Sequence, residues 1–103
     1  MILEVAILNV IPEKTDEFEA GFERAQKIIS SMKGYLGHQL QQNLEVPNRY
    51  ILLVNWENLE DHIVGFRQSP EYQEWKKLLH HFYSPFPEVT HYALKYDHFL
   101  IWW

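Results

Sequence analysis

The first strand of the chain constrains the fold more than any other segment. Residues 2–11 (ILEVAILNVI) are rich in β-branched side chains and are followed by Pro12, which is typical of a β-strand. Both alternating faces of this strand are apolar, one with Leu3, Val5 and Ile7, the other with Ile2, Ala6, Leu8 and Val10. Because a strand with two apolar faces is normally covered on both sides, the sequence predicts a sheet that is packed on both faces.

Helical spacing defines the next element, and alternation defines the two after it. A helix that Thr15 or Asp16 can cap runs up to Gly34, with apolar positions at Phe18, Phe22, Ala25, Ile29 and Met32. Residues 35–44 and 49–57 flank a short loop at 46–48 and predict an antiparallel hairpin. If Glu45 pairs with Arg49, the register sets Leu40 opposite Val54 and His38 opposite Trp56.

The second half of the chain predicts a pair of helices and a last strand. Residues 58–66 predict a short helix, and Ser69 followed by Pro70 predicts the N-cap and first position of a longer one. The apolar stripe of the longer helix is Tyr72, Trp75, Leu79 and Phe82. Pro85 and Pro87 end it, and residues 87–103 predict one long final strand.

This order of elements predicts a single α+β domain over residues 1–103. With right-handed crossovers, strand-helix-strand-strand-helix-strand gives a ferredoxin-like βαββαβ fold, whose antiparallel sheet has the strand order 4-1-3-2. The two crossover helices cover only one face of such a sheet. A second copy of the same sheet is the simplest cover for the other face, so we expect a homodimer in which two sheets form a dimeric α/β barrel.

Composition excludes several classes of function. The formal charge of −5, from fourteen acidic and nine basic residues without a basic patch, argues against nucleic acid as a partner. There is no cysteine, so disulfides, thiolate metal sites and cysteine nucleophiles are excluded. No apolar run reaches the length of a membrane span, and the start of the chain lacks a basic region and a cleavage site. We expect a soluble, cytoplasmic protein without a membrane partner.

Three segments, together with the order of elements, resemble the antibiotic biosynthesis monooxygenase family of dimeric α/β barrels. They are residues 12–18 (PEKTDEF) at the start of the first helix, residues 56–60 (WENLE) after the third strand, and residues 66–72 (FRQSPEY) before the second long helix. The resemblance implies a small dimeric protein with a pocket between sheet and helices in each subunit. Relatives in this family include cofactor-independent oxygenases of polycyclic phenols, quinol monooxygenases, haem-degrading enzymes and members without a known activity.

The chain departs from the haem-degrading branch of that family. The asparagine, tryptophan and histidine that form the site in that branch fall near Ala6, Phe66 and Lys76. Quinol-oxygenase-like members often carry a histidine three residues before the serine, and that position is again Phe66. We therefore expect neither haem degradation nor a bound cofactor or metal.

Candidate site residues follow from the predicted register. His38 and Trp56 would share the apolar side of the hairpin, in a pocket also lined by Phe66, Tyr72 and Trp75. Either His38 or His91 would act as the base for a phenolic substrate, with Trp56, Phe66, Tyr72 and Trp75 as the walls. The same residues also fit a hydrogen-bonded histidine packed in an aromatic core, and the sequence leaves both interpretations open.

The remaining histidines and the tail have weaker signals. Neighbouring residues on a helix are about 100° apart, so His80 and His81 cannot chelate a metal together, and both are expected to point away from the core. No partner is evident for His62 or His98. The tail, residues 98–103, ends in five large apolar residues, and we expect it to be ordered and to pack at or next to the dimer interface.

Two functions from different classes fit these patterns. The first is a cofactor-independent monooxygenase-like protein that acts on a flat aromatic or quinol-like small molecule. The alternative is a non-catalytic, small-ligand-binding or stress-related protein that keeps the barrel and the pocket.

Overall fold

A computed structural model describes residues 1–98 of the chain. Its strands are β1 (Ile2–Asn9), β2 (Tyr35–Gln42), β3 (Arg49–Trp56) and β4 (Val89–Ala93), and its α-helices are α1 (Thr15–Ile29) and α2 (Pro70–Leu79). Short 3-10 turns at Pro12–Lys14 and His80–Phe82 and a π-helix at Asp61–Phe66 complete the order. The strands form one antiparallel sheet in the order β2-β3-β1-β4. The predicted ferredoxin-like topology is confirmed.

One face of the sheet carries the hydrophobic core. β1 and β3 direct alternate side chains to the helices, and Ala6, Leu8, Leu52 and Val54 are all buried there. The helices contribute their apolar stripes, which are Phe18, Phe22, Ala25 and Ile29 of α1 and Trp75 and Leu79 of α2. Burial of each large apolar side chain contributes about 1.5–3 kcal/mol to stability. The predicted helix stripes are therefore the residues that hold the helices on the sheet.

The other face, which we call the outer face, remains partly exposed in residues 1–98. It is formed by the opposite alternation of the central strands, including Leu3, Val5, Ile7, Ile51 and Leu53. Ile7 is 42% exposed. β1 is apolar on both faces, but only one of them is covered within the described residues. The cover of the other face stays a prediction.

The hairpin register differs from the predicted one by two residues. His38 lies opposite Val54, not Trp56, and Leu40 lies opposite Leu52. The cause is the loop, because the Asn43 side chain accepts hydrogen bonds from the backbone N–H groups of Glu45 and Val46 and so lengthens the turn. Trp56 pairs instead with Tyr35, across a bulge that turns Leu36 outward to 49% exposure.

The last strand is much shorter than predicted. β4 ends at Ala93, which lies opposite Ile2, the first residue of β1. The pairing with β1 ends there, and residues 94–98 form no strand. The predicted packing of the tail concerns residues 99–103, which lie outside the described residues.

Helix ends follow the predicted signals in part. Ser69 caps α2, since its side chain accepts a hydrogen bond from the Tyr72 backbone N–H at 3.1 Å, and this prediction is confirmed. The predicted cap of α1 is wrong, because no side chain caps that helix and a 3-10 turn precedes it instead. None of the helices in residues 1–98 is long and apolar enough to cross a membrane.

Candidate functional site

A cavity of about 370 Å³ lies between the sheet and the α2 side of the helical layer. Its floor comes from β1 and β3, with Glu4, Ala6 and Leu52. Its walls are aromatic and include Phe66, Tyr72 and Trp75. A small set of polar groups among apolar walls is the usual composition of a small-molecule site.

The aromatic wall is a rigid cluster of rings. The ring of Phe66 meets that of Tyr72 edge to face, with centroids 5.1 Å apart, and that of Trp75 in the same way at 5.6 Å. Such T-shaped pairs add about 0.5–1.5 kcal/mol beyond the burial of area. The wall therefore keeps its shape and presents π surface to a ligand.

Glu4 is the acidic group on the cavity floor. It stands on the core face of β1 between Val54 and His91, and it is only 5% exposed. The Trp56 indole N–H donates a hydrogen bond to Glu4 Oε1 at 3.0 Å. Burial raises the pKa of Glu4 to about 7, against the opposing effects of the Trp56 hydrogen bond and the charge of Arg67. Glu4 can therefore exchange a proton near neutral pH.

His62 connects Glu4 to His91. Its Nε2 lies 3.3 Å from Glu4 Oε1, and its Nδ1 lies 2.8 Å from His91 Nε2. The imidazole stacks on the Trp56 ring, with centroids 5.5 Å apart and planes 19° apart. Burial lowers the pKa of His62 to about 3, with contributions from Arg67 and His91, so this histidine is neutral at physiological pH.

The three groups form a chain with two consistent proton arrangements. When Glu4 is protonated it donates to His62 Nε2, and His62 Nδ1–H then donates to His91 Nε2. When Glu4 is ionised it accepts from His62 Nε2–H, and His62 Nδ1 then accepts from His91 Nε2–H. The tautomers of both histidines are thus tied to the charge of Glu4. Burial also lowers the pKa of His91, again with a contribution from Arg67.

The π-helix positions His62 and its neighbours. The Arg67 backbone N–H donates to the His62 carbonyl at 3.0 Å, a bond between residues five apart that widens the turn. With this wider turn, His62, Phe66 and Arg67 all line the cavity. An α-helical turn would place the residue five positions on about 140° away. π turns are often found at functional sites for this reason.

The structure brings most of the predicted wall together. Phe66, Tyr72 and Trp75 line the cavity, while Trp56 is fully buried behind Glu4 and His62. His91 reaches the site through His62. Their roles in binding or catalysis stay predictions.

His38 lies elsewhere, between β2 and α1, and does not line the cavity. Its Nε2 lies 2.9 Å from Gln26 Oε1, and its Nδ1 is hydrogen-bonded to the Tyr35 hydroxyl. Since the glutamine oxygen can only accept, Nε2 carries the proton and Nδ1 accepts from Tyr35. Burial lowers the pKa of His38. This arrangement is that of a structural histidine joining a strand to a helix.

The expectation that both His80 and His81 point away from the core is wrong for His80. α2 ends at Leu79, and the 3-10 turn that follows directs His80 into the cavity, where its ring lies 5.0 Å from that of Phe86. His81 is exposed as expected. The helix ends before the prolines that were expected to end it.

Sequence reasoning missed Glu4 and His62 as site residues. Glu4 had a readable signal, because it shares the core-facing alternation of Ile2, Ala6 and Leu8, where a carboxylate is costly unless it is hydrogen-bonded. The inward position of His62 depends on a π-helix, which α-helical periodicity does not reveal. Among residues 1–98 no group of three or more His, Cys, Asp or Glu side chains could hold a metal ion.

Comparisons with known proteins agree with this architecture. The sequence model of antibiotic biosynthesis monooxygenases matches residues 1–78. The chain is 53% identical, over 92 residues, to the uncharacterized protein YczJ of Bacillus subtilis (strain 168), a match that covers 89% of this chain and 97% of YczJ.

Solved structures share the fold. A candidate antibiotic biosynthesis monooxygenase from Bordetella bronchiseptica superposes with a TM-score of 0.88 at 37% identity, covering 92% of this chain and 97% of the other. SnoaB of Streptomyces nogalater, a cofactor-independent oxygenase, superposes with a TM-score of 0.76 at 19% identity, covering 93% and 94%. At that identity the likeness to SnoaB shows the fold alone.

Proposed function

Since the chain belongs to the antibiotic biosynthesis monooxygenase family, we propose that it binds a flat aromatic or quinol-like small molecule in the cavity and oxidises it with O₂ without a cofactor. The observation that carries the proposal is Glu4, a carboxylate with a pKa near 7 on the floor of a ring-walled cavity. A general base works best when its pKa lies near the operating pH. We therefore assign the base to Glu4, with His91 acting through His62.

The chemistry needs a base and a dry site. Glu4 removes a proton from a phenol or from an activated ring methylene, and the electron-rich anion adds to O₂ to give a peroxide, which takes the proton back. Loss of the C–H proton from the carbon that carries the peroxide breaks the O–O bond and releases water. A CH₂ group and O₂ thereby become C=O and water, and a phenol and O₂ become a quinone and water. The substrate supplies all four electrons. Aromatic walls exclude water from the anion during this sequence.

The same proposal includes a homodimer formed through the outer face. That face carries Val5 and Leu53 on the two central strands, and a hollow of about 460 Å³ beside Leu3 and Tyr92. A second sheet would cover this apolar surface, which water would otherwise contact. Dimeric barrels are typical of the family.

A non-catalytic ligand-binding protein is the second candidate. It is favoured by the hydrogen bonding of the site, because every buried side-chain N or O atom in the described residues has a partner. A fully satisfied buried network is also what a purely structural core contains.

Oxygen uptake separates the two candidates. We expect the wild type to consume O₂ with anthrones or quinols, and Glu4→Gln to lose that uptake while still binding the ring, because the amide cannot take up the proton. His38→Gln, remote from the cavity, should retain uptake and serves as the matched control. Ring binding without uptake by the wild type would favour the non-catalytic function, and uptake that survives in Glu4→Gln would remove Glu4 from the mechanism.

A further inference from the structure

The mouth of the cavity is cationic although the chain as a whole is acidic. Among residues 1–98, Glu4 is the only acidic residue that lines the cavity, and it is buried on the floor. Arg67 lines the cavity nearer to solvent and is exposed. Lys76 stands close by, with its Nζ 5.8 Å from the centre of the Tyr72 ring. Arg67 thus places a positive charge at the cavity, with Lys76 near one of its wall residues, in a chain whose formal charge is −5.

Arg67 has no carboxylate partner at this opening. Within residues 1–98 its guanidinium forms no ion pair and no side-chain hydrogen bond, whereas Lys14 and Lys77 each lie within 4 Å of a glutamate. Arg67 lines the cavity, and its charge lowers the pKa of Glu4, His62, Tyr72 and His91. The π turn brings it there. An arginine that lines a ring-walled cavity, and whose five N–H donors are unused within residues 1–98, is suited to bind an anion.

We propose that the ligand of this cavity is an aromatic acid, whose flat ring lies against Phe66, Tyr72 and Trp75 and whose carboxylate pairs with Arg67 at the mouth. The inference rests on the proposed function, since it specifies the substrate of the same site. The planar fork of an arginine matches a carboxylate in two parallel hydrogen bonds. Burial and Lys76 lower the pKa of His80, so this residue borders the mouth as a neutral hydrogen-bonding group.

The charge arrangement also serves the proposed chemistry. When Glu4 takes a proton from the substrate, its negative charge moves onto the ring, which lies closer to the opening. Arg67, at the solvent-exposed mouth of the cavity, then attracts the anion by its positive charge. A ligand with an anionic substituent would therefore be complementary to Arg67 at the mouth of the cavity, and its ionisable ring position would be complementary to Glu4 on the floor.

A matched pair of ligands tests the inference. Anthraquinone-2-carboxylate and anthraquinone-2-carboxamide have the same rings and differ in charge, and both can be titrated by quenching of tryptophan fluorescence. We expect the carboxylate to bind the wild type roughly tenfold more tightly, a difference of about 1.4 kcal/mol. Arg67→Gln should abolish the difference and leave amide binding unchanged. Arg67→Lys should keep part of it, and Arg24→Gln, on the exposed side of α1, should keep all of it.

The outcomes separate this inference from the proposed function. Equal binding of both ligands to the wild type, or an unchanged preference in Arg67→Gln, would overturn the acid inference and leave the ring site standing. If neither ligand binds, the ring site itself is refuted together with the inference. Added salt should weaken the carboxylate more than the amide, because the pair at the mouth is open to solvent.

Discussion

At the scale of single residues, the main feature is a carboxylic acid buried where the fold would accept an apolar side chain. Glu4 occupies a central core position on β1, and its ionised form is disfavoured there because water is excluded. Trp56 and His62 partly compensate by hydrogen bonding. With its pKa raised to about 7, Glu4 lowers the stability of the protein at neutral pH and has the pKa that the proposed base requires.

The first prediction concerns the stability of Glu4→Gln. Because the pKa of Glu4 rises from 4.5 to about 7 on folding, its stabilising contribution is complete below pH 4.5 and is lost as the pH rises through 7. The variant has no such loss. Its free energy of unfolding relative to wild type should therefore increase by roughly 2–3 kcal/mol between pH 5 and pH 8. Denaturant unfolding at both pH values measures this, with the exposed Glu23→Gln as the control that should show no change.

The second prediction concerns the histidine tautomers. As Glu4 ionises near pH 7, His62 should change from the Nδ1–H to the Nε2–H form, and His91 should change with it. Nitrogen NMR of the imidazoles distinguishes these forms. Arg67 lowers the pKa of Glu4, so the change should move to higher pH in Arg67→Gln, and it should vanish in Glu4→Gln. Independent titration of the two rings would show that the chain is not coupled.

The candidate site was partly readable from the sequence at this scale. Phe66, Tyr72 and Trp75 were predicted as cavity walls, two of them from the helical spacing of the stripe, because a stripe faces the sheet wherever the helix lies. Glu4 was overlooked although alternation places it in the core. The position of His62 in the site could not be predicted, since the orientation of its side chain depends on a π-helical turn that has no sequence signature.

At the scale of elements, the π-helix is the part on which the site depends most. It begins at Asp61, whose carboxylate Oδ2 accepts a hydrogen bond from the Asn58 backbone N–H. Gly34, just before β2, lies against that same carboxylate, and a Cβ there would come within 2.1 Å of Asp61 Oδ2. The backbone of Gly34 also has a φ of 83°, which favours glycine.

The third prediction compares two glycines. Gly34→Ala should destabilise the protein by about 1–3 kcal/mol, from the left-handed backbone and the clash, and it should weaken ring binding because Asp61 adjoins His62. Gly37→Ala is the control, since a Cβ there meets nothing within 4 Å. Urea unfolding and fluorescence titration measure both effects. Asp61→Ala added to Gly34→Ala should recover part of the loss, and full stability of Gly34→Ala alone would contradict the structure.

Element boundaries show where sequence reasoning stops. The sequence predicts the apolar stripes of α1 and α2 and the Ser69 N-cap, because each of these features depends on residues that are close together in the sequence. The predicted hairpin register was wrong because the Asn43 side chain accepts hydrogen bonds from the backbone of the loop and so forms a longer turn. The extent of β4 depends on its pairing with β1, which runs from Val89 opposite Ala6 to Ala93 opposite Ile2, and the sequence of the last segment does not show where that pairing ends.

At the scale of the whole molecule, the outer face is the surface through which we propose that the dimer forms. The fourth prediction is that Leu53→Glu, which places a charge at the centre of that face, converts the proposed dimer into a folded monomer. Leu44→Glu is the control, because Leu44 lies on the hairpin loop and is 90% exposed. Light scattering measures the mass. A dimer of unchanged affinity in Leu53→Glu would place the interface on another surface.

The fifth prediction concerns the apolar tail. A chain ending at Asp97 lacks the large apolar residues of 99–103 and should dimerise more weakly than the full chain, since burial of each such side chain contributes about 1.5–3 kcal/mol. Light scattering over a dilution series gives both affinities. Equal affinities would remove the tail from the interface.

The residues of the site come from two kinds of secondary structure. Glu4 and its donor Trp56 stand on the two central strands, whereas Phe66, Tyr72 and Trp75 come from the helical segments that follow β3. In the proposed function, the residues that select the ligand are therefore separate from the residue that reacts with it. Substitutions in the helical segments can admit a ring of another shape without disturbing the sheet that holds the base. A library of substitutions at Phe66, Tyr72 and Trp75, with the strands unchanged, should yield variants that bind different molecules. The pKa of Glu4 should be the same in all of them.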